Sequence, residues 1–216
     1  MKKKQKIFTI VALIVTLIGM SIGFAAFSGS MSISSSANVK PSSTDFNIKF
    51  SSSDSSVVTN QIAPTVSGTT GENATIDNSG SISKISGLKA NFTAPGQSVT
   101  YTFYVHNIGE YTAYLKNITF QNATGKSAPK VCTKTDTTAT DSLVAAACNS
   151  ISITAKVGST VYNSTTSSIT NHSIAAKTGK ETVVVTITYA SGGSKADGDF
   201  SVTFGDISLE YKSTDA

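Results

Sequence analysis

Two cysteines and two histidines are the most reactive side chains in this sequence of 216 residues. Cys132 and Cys148 would close a loop of about 17 residues, and such a disulfide stabilises a fold by roughly 3 kcal/mol in the chain-entropy description. Disulfides persist in oxidising compartments, so a bond between them fits an exported protein, with a pair of free thiols as the alternative. Two thiolates without partnered cysteines or histidines make half a zinc site, so we expect no zinc.

Two further motifs have metal-ligand chemistry but incomplete ligand sets. His106 and Glu110 are four residues apart and bracket a predicted turn, with no third ligand in view. Asp197 and Asp199 flank a glycine as in part of a calcium loop, without the third carboxylate or the bidentate glutamate of a full loop. We expect surface and turn residues at both places, and calcium at Asp197 and Asp199 is left open.

Catalytic motifs are missing from the sequence. There is no Gly-x-Ser-x-Gly elbow, and the carboxylates are scattered singly, so no acid–base pair can be selected. We therefore predict a protein that is not an enzyme, with no catalytic residue, no cofactor and no bound metal.

The charge pattern excludes a nucleic-acid-binding surface. The formal charge is +4, yet four of the 17 lysines lie within the first six residues, and the sequence has no arginine. Beyond residue 26 the remaining 13 lysines balance 13 acidic residues. Without a basic face or a bidentate guanidinium, we expect no nucleic-acid partner.

The N-terminus has the features of an export signal. Met1–Lys6 is positively charged, and Ile7–Phe27 is an uncharged stretch whose helix would be about 31 Å long, enough to cross a bilayer. We predict that residues 1–26 are a signal peptide cleaved between Ala26 and Phe27, and cuts after Ala25 or Ser28 would fit the small-residue rule better. An uncut N-terminal anchor is the alternative, and any membrane contact would then be made through residues 7–27.

Apolar and polar residues alternate with a period of two along most of the remaining chain, which is typical of half-buried strands. The clearest alternation runs from Val99 to Val105, after a predicted Pro95-Gly96 type II turn. We expect a hairpin from there through Asn107–Glu110 into Tyr111–Phe120. Residues 61–80 are expected to be a long loop or weak edge.

This pattern predicts eight to ten strands and an all-β fold. We expect a two-sheet antiparallel β-sandwich of jelly-roll or Ig-like type, forming a single domain over residues 27–216. The cysteines lie in an irregular excursion over residues 121–149, where Asp141 would cap one or two helical turns.

The segment Phe27–Val39 is sparse in apolar residues but alternates, and it follows the cleavage region directly. Its inward-facing residues would be Met31, Ile33, Ala37 and Val39. Such a strand can lie at the edge of its own sandwich, or it can leave and complete the sheet of a neighbour by β-augmentation.

Two stretches of the sequence match a known pattern: the junction Gly23-Phe24-Ala25-Ala26-Phe27-Ser28, and residues 95–109, which run from Pro-Gly through a strand to Asn-x-Gly. They resemble the cleavage site and the signature of the TasA/camelysin family of Gram-positive biofilm-matrix fibre subunits. The resemblance implies a jelly roll that polymerises by handing its N-terminal strand to the next subunit. The cysteine-bearing excursion departs from the family, and the metallopeptidase activity attributed to some members is not carried over because no zinc-ligand set is present.

We therefore expect a secreted structural protein of the cell surface or extracellular matrix, assembling into fibres by N-terminal strand donation. Its partners would be copies of itself or other surface and matrix components. The alternative is a monomeric, membrane-anchored adhesion or binding domain.

Overall fold

The computed structural model describes residues 45–80, 82–163, 169 and 172–214. The described chain contains one helix and fifteen strands. The helix α1 is Asp141–Asn149, and the strands are β1 Ile48–Ser51, β2 Thr65–Ser67, β3 Thr70–Gly71, β4 Thr75–Asp77, β5 Lys84–Ser86, β6 Lys89–Phe92, β7 Ser98–Asn107, β8 Ala113–Phe120, β9 Lys130–Lys134, β10 Ile151–Val157, β11 Thr160–Asn163, β12 Ser173–Ile174, β13 Gly179–Tyr189, β14 Phe200–Phe204 and β15 Ile207–Lys212.

The strands form three antiparallel sheets. A six-stranded sheet has the order β1-β7-β13-β10-β11, with β2 pairing β7 as well. A five-stranded sheet has the order β12-β8-β15-β5-β4, and a four-stranded sheet has the order β3-β6-β14-β9. The predicted all-β, antiparallel, sandwich-like class is thus confirmed.

The inward-facing residues of all three sheets belong to one hydrophobic cluster. Phe92 on β6 meets Tyr189 on β13 with ring centroids 5.6 Å apart, and Tyr189 also meets Phe200 on β14 at 5.8 Å. Both tyrosine contacts are edge-on, a favoured geometry for ring pairs. The hydroxyl of fully buried Tyr101 donates to the carbonyls of Glu72 and Lys89, which satisfies a polar atom that burial would otherwise penalise.

The turn before β7 has the predicted geometry. Gly96 has a φ of +90°, the left-handed backbone that the third residue of a type II turn requires. The side chain of Gln97 accepts hydrogen bonds from the amides of Thr93 and Ala94 at 2.8 and 3.1 Å. The turn is therefore held by a side chain as well as by its own backbone.

The predicted hairpin from β7 into β8 is wrong. Strand β7 pairs with β1, β2 and β13, whereas β8 pairs with β12 and β15 in the five-stranded sheet. The chain passes from one sheet to another at residues 108–112 because both edges of β7 are taken by other strands. Alternation on either side of an Asn-x-Gly turn predicts two strands, but it does not specify that they pair.

The stretch over residues 61–80 forms short edge strands, which was one of the two forms expected for it. It contains β2, β3 and β4, and a bridge joins Ile62 to Ala74. These strands are two or three residues long, too short to show a period of two, which explains why the sequence pattern missed them and why the strand count was too low.

The excursion over residues 121–149 contains β9 and α1, joined by the predicted disulfide between Cys132 and Cys148, whose Cα atoms are 6.0 Å apart. The helix is nine residues long, and its N-cap is Thr140 instead of the predicted Asp141. The ammonium of Lys130 donates to the carbonyl of Cys148 at 2.6 Å and to that of Ile151. A cation thus lies at the carbonyl end of the helix, where it is favourable.

We predict that the double variant Cys132→Ser/Cys148→Ser loses about 2–4 kcal/mol of unfolding free energy, because the unfolded chain regains the freedom of the cross-linked loop. Urea unfolding of the oxidised parent and of the variant measures the difference. The variant should be insensitive to reductant, and an unchanged stability of the parent on reduction would contradict the prediction.

Candidate functional site

Strand β1 lies at the outer edge of the six-stranded sheet. It pairs with the end of β7, with Ile48 opposite Asn107 and Phe50 opposite Val105. The ring of Phe50 is fully buried against Phe103, with centroids 4.9 Å apart. An edge strand presents one row of backbone groups to whatever lies beyond the sheet, so this edge is a position where a further strand can add.

Side chains occupy the outer edge of β1. Asn78 donates from Nδ2 to the carbonyl of Phe50 at 2.8 Å and accepts from its amide at Oδ1, at 2.9 Å. The hydroxyl of Ser83 donates to the carbonyl of Ile48 at 3.3 Å. The amide of Asn78 thus makes the pair of hydrogen bonds that a neighbouring strand would make. We call β1 with Asn78 and Ser83 the β1 edge site.

The chain entering β1 is held by backbone contacts. The carbonyl of Asn47 accepts from the amide of Ile108 at 3.0 Å, and that of Asp45 accepts from the amide of Glu110 at 2.7 Å. Gly109 lies between these two bonds, and a Cβ there would be 2.5 Å from the nitrogen of Asn47. Only glycine allows this approach, which gives the predicted Asn-x-Gly turn a packing role.

The fully buried side chain of Asn107 connects three segments next to this contact. Its Oδ1 accepts from the amide of Gly109 at 3.1 Å, and its Nδ2 donates to the carbonyls of Tyr111 at 2.8 Å and Ile174 at 3.0 Å. Each polar atom of this amide is paired, so its burial fixes the turn and β12 in place.

The residues considered for metal binding have other partners. His106 lies 2.9 Å from the carbonyl of Ser53 through Nε2, and Glu110 pairs with Lys177 at 2.8 Å. Asp197 accepts from the amide and the hydroxyl of Thr140, and these bonds hold the pKa of its carboxyl below the usual value. No group of three His, Cys, Asp or Glu residues suited to a metal occurs within the described ranges.

A partly buried cluster of titratable groups lies elsewhere, between the six- and five-stranded sheets. Nε2 of His172 is 2.7 Å from Oε1 of Glu181 on β13. The other oxygen of Glu181 and the hydroxyl of Tyr211 lack a hydrogen-bond partner among the described residues. Burial raises the pKa of Glu181 to about 7 and lowers that of His172, while burial, followed by the charge of Glu181, raises the pKa of Tyr211.

A polar groove of about 580 Å³ lies beside the four-stranded sheet. Its lining includes Lys89, Asn91 and Asp199, with threonines between them. Lys89 pairs with Glu72, which leaves little unpaired charge to select an ionic ligand. Asp199, one of the two residues considered for calcium, thus lines an open groove.

The other predicted site residues lie outside the described residues. These are the cleavage pair Ala26 and Phe27 and the strand residues Met31, Ile33, Ala37 and Val39. Within the part of the chain that the structure describes, no helix is both long and apolar enough to cross a membrane.

Sequence reasoning did not identify Asn78, Ser83 or Glu181. Asn78 follows β4 in a polar stretch with no special spacing, and its role depends on a strand 28 residues earlier. Glu181 occupies an inward-facing strand position, opposite buried Val105. A charged residue among the apolar positions of an alternating strand is unusual, so the sequence alone could have identified Glu181.

Searches of family models, of curated proteins and of solved structures found no match to this chain. The resemblance to the TasA/camelysin family therefore rests on the two sequence stretches that suggested it.

We predict that Gly109→Ala destabilises the protein by about 2–3 kcal/mol, because the added methyl overlaps the backbone of Asn47. It should also speed hydrogen exchange at the amides of Ile108 and Glu110 as the entry segment separates. Urea unfolding and exchange mass spectrometry measure both effects. Gly192→Ala is the control, since a Cβ there meets nothing within 4 Å. Equal stabilities of the two variants would contradict the role of Gly109.

We predict that Glu181→Gln gains stability relative to the parent as the pH rises. The pKa of Glu181 is raised from 4.5 to about 7 in the folded protein, so its stabilising contribution is complete below pH 4.5 and is lost as the pH rises through 7. Glutamine does not ionise. The difference in unfolding free energy should therefore shift by about 2–3 kcal/mol in favour of the variant between pH 5 and pH 8.

Denaturant unfolding at the two pH values measures this shift. Glu210→Gln on β15 is the matched control, because the side chain of Glu210 is 37% exposed against 15% for Glu181. A parallel pH dependence of parent and Glu181→Gln would show that Glu181 ionises normally.

Proposed function

We propose that this chain is an exported, non-enzymatic structural protein of the cell surface or extracellular matrix, and that it assembles into fibres. In this proposal residues 27–39 of one copy add as a strand to the sandwich of the next, and the sandwich is of the jelly-roll type. The cleaved signal, the secreted location and the Gram-positive biofilm setting belong to the same proposal. The disulfide supports it, since such bonds persist outside the cytoplasm.

The observation that carries the proposal is the β1 edge site. The outward amide and carbonyl of Phe50 are bound by one asparagine side chain, with no strand beyond it in the described sheet. A donated strand would replace the two bonds from Asn78 and the one from Ser83 with a longer ladder. Each aliphatic residue that it buried would add roughly 1.5–3 kcal/mol. The side-chain bonds protect the edge in the free protein and are weak enough to be exchanged.

The alternative is a monomeric, membrane-anchored adhesion or binding domain. The open polar groove beside the four-stranded sheet favours it, because a groove lined by threonine, asparagine and lysine offers hydrogen bonds to a polar ligand. In this case assembly is unnecessary, and changes in the loops, not in residues 27–39, alter binding.

We predict that protein beginning at Phe27 polymerises with increasing concentration, and that Ile33→Lys abolishes polymers because it places a charge in the accepting groove. Light scattering across a hundredfold dilution series measures assembly. Deleting residues 27–39 should also abolish polymers, yet leave a folded acceptor that a synthetic peptide of that segment binds. A parent that stays monomeric at every concentration, with native β circular dichroism, would exclude the fibre.

The β1 edge site is tested separately with Asn78→Ala. Removing the competing amide should lower the concentration at which polymers form, since the incoming strand no longer displaces it. Asn117→Ala on the exposed surface of β8 is the control and should leave that concentration unchanged. Polymerisation that is unaffected by Asn78→Ala would place the accepting edge elsewhere.

A further inference from the structure

A polar contact joins the six-stranded and the five-stranded sheet in the interior of the sandwich. Glu181 on β13 faces inward opposite Val105 of β7, and its Oε1 lies 2.7 Å from Nε2 of His172. His172 directly precedes β12, and its carbonyl accepts from the amide of Leu115 on β8 at 2.9 Å. The side chains of Glu181 and His172 are only 15% and 14% exposed. Each sheet thus contributes one titratable group to the same buried contact.

The other groups around Glu181 do not compensate its charge. The titratable groups on the strands packed around it are the phenols of Tyr211 on β15 and Tyr162 on β11. Burial, followed by the charge of Glu181, raises the pKa of Tyr211, so this phenol stays neutral near pH 7. Lys156 and Lys180 are exposed on the solvent side of the same sheet. His172 is therefore the group that decides whether the proton of Glu181 is shared.

The contact leaves half of the Glu181 carboxyl group without a hydrogen bond. Its Oε2 has no partner among the described residues, and the ring of His172 is not aligned for a straight hydrogen bond to Oε1. While the two side chains share a proton, they form a neutral pair. Once that proton is lost, a buried carboxylate remains with an unpaired oxygen, which is costly. Ionisation therefore favours any movement that admits water to Glu181.

The start of β12 is the part of this contact that can move at the lowest cost. On one side the pair is closed by Gly158, where a Cβ would lie 2.6 Å from Oε1 of Glu181 and 3.3 Å from Cε1 of His172. Gly158 follows β10, which pairs with β13 over seven residues, whereas β12 pairs with β8 over two. The far end of β12 is held by Asn107, which donates to the carbonyl of Ile174 at 3.0 Å. Separation therefore begins at His172.

We propose that the contact between His172 and Glu181 is a pH-sensitive latch that fastens the start of β12 to the interior. The latch is closed while the two side chains share a proton, and His172 then covers the amide of Leu115. It opens when the proton is lost, and the start of β12 leaves β8. The outer edge of β8 is then free to pair with another strand, as uncovered edges do.

The direction of the switch follows from burial. Burial raises the pKa of Glu181 from 4.5 to about 7, so the closed form is most favoured below pH 4.5 on this account and loses its advantage as the pH rises through 7. Burial lowers the pKa of His172, so protonation of the imidazole opposes the closed form on the acid side. A variant at Glu181 is needed to separate the two effects.

Hydrogen exchange of the full chain, followed by NMR at pH 6 and pH 8, tests the latch at the amide of Leu115. The comparison is with Glu181→Gln, which keeps the shape of the side chain and does not ionise. Protection factors are used because they remove the effect of pH on exchange itself. We expect the protection of the parent relative to the variant to fall about tenfold between the two pH values, the factor given by a pKa that moves from 4.5 to about 7.

Two controls restrict the effect to the latch. Glu210→Gln, at a more exposed carboxyl group on β15, should show the same pH dependence as the parent. The amide of Gly96, which bonds to the carbonyl of Tyr189 at the opposite end of β13, should not show the tenfold change. The comparison of Gly96 with Leu115 within the parent needs no variant, and circular dichroism shows whether each variant is folded.

Two outcomes would overturn the latch. An equal pH dependence at Leu115 in the parent and in Glu181→Gln would show that Glu181 does not control β12. The same tenfold change at Gly96 would show that pH acts on the whole fold. The latch lies within one copy of the chain, and exchange is measured where light scattering shows a monomer. Its result is therefore independent of the polymerisation test.

Discussion

The close approach of the entering chain to Gly109 is the constraint on which the arrangement of the sheets depends. Asn47 and Asp45 can bond to the amides on either side of Gly109 only because no Cβ separates the two backbones. The buried amide of Asn107 holds the same turn from the other side and ties it to Ile174. One polar contact region therefore directs the first strand to one sheet and β8 to another, and a looser turn would leave both strands free to pair differently.

The β1 edge and the β9 edge of the sandwich are covered in different ways. At β1, Asn78 occupies the two outward backbone groups of Phe50, which lowers the tendency of an exposed edge to pair with another chain. At β9, the edge of the four-stranded sheet, the disulfide to α1 and the ammonium of Lys130 hold a helix against the strand. One edge is thus protected by exchangeable hydrogen bonds and the other is attached covalently to its neighbour. Of these two edges, only the first can exchange its hydrogen bonds without breaking a covalent bond.

Most charged residues of the strands lie on the solvent sides of the sheets. Ion pairs occupy the solvent side of the five-stranded sheet, and the solvent side of the six-stranded sheet combines hydroxyl residues with exposed Lys156 and Lys180. Glu181 is the exception, since it faces inward beside His172 and has a pKa raised by burial to about 7.

The alternation of residues by itself indicated the fold class, because a period of two over β7 and β13 is typical of strands with one buried face, and such strands commonly form antiparallel sheets. The Pro95-Gly96 pair determined the turn before β7, and the expected oxidising setting indicated the Cys132–Cys148 bond. Tertiary structure alone decided which strands pair. The chain leaves one sheet at Gly205, where a Cβ would be 2.1 Å from the carbonyl of Gln121, and β15 joins a different sheet from β14. Likewise the β1 edge site depends on hydrogen bonds between Asn78 and Phe50, which are 28 residues apart, and local propensity contains no information about such contacts.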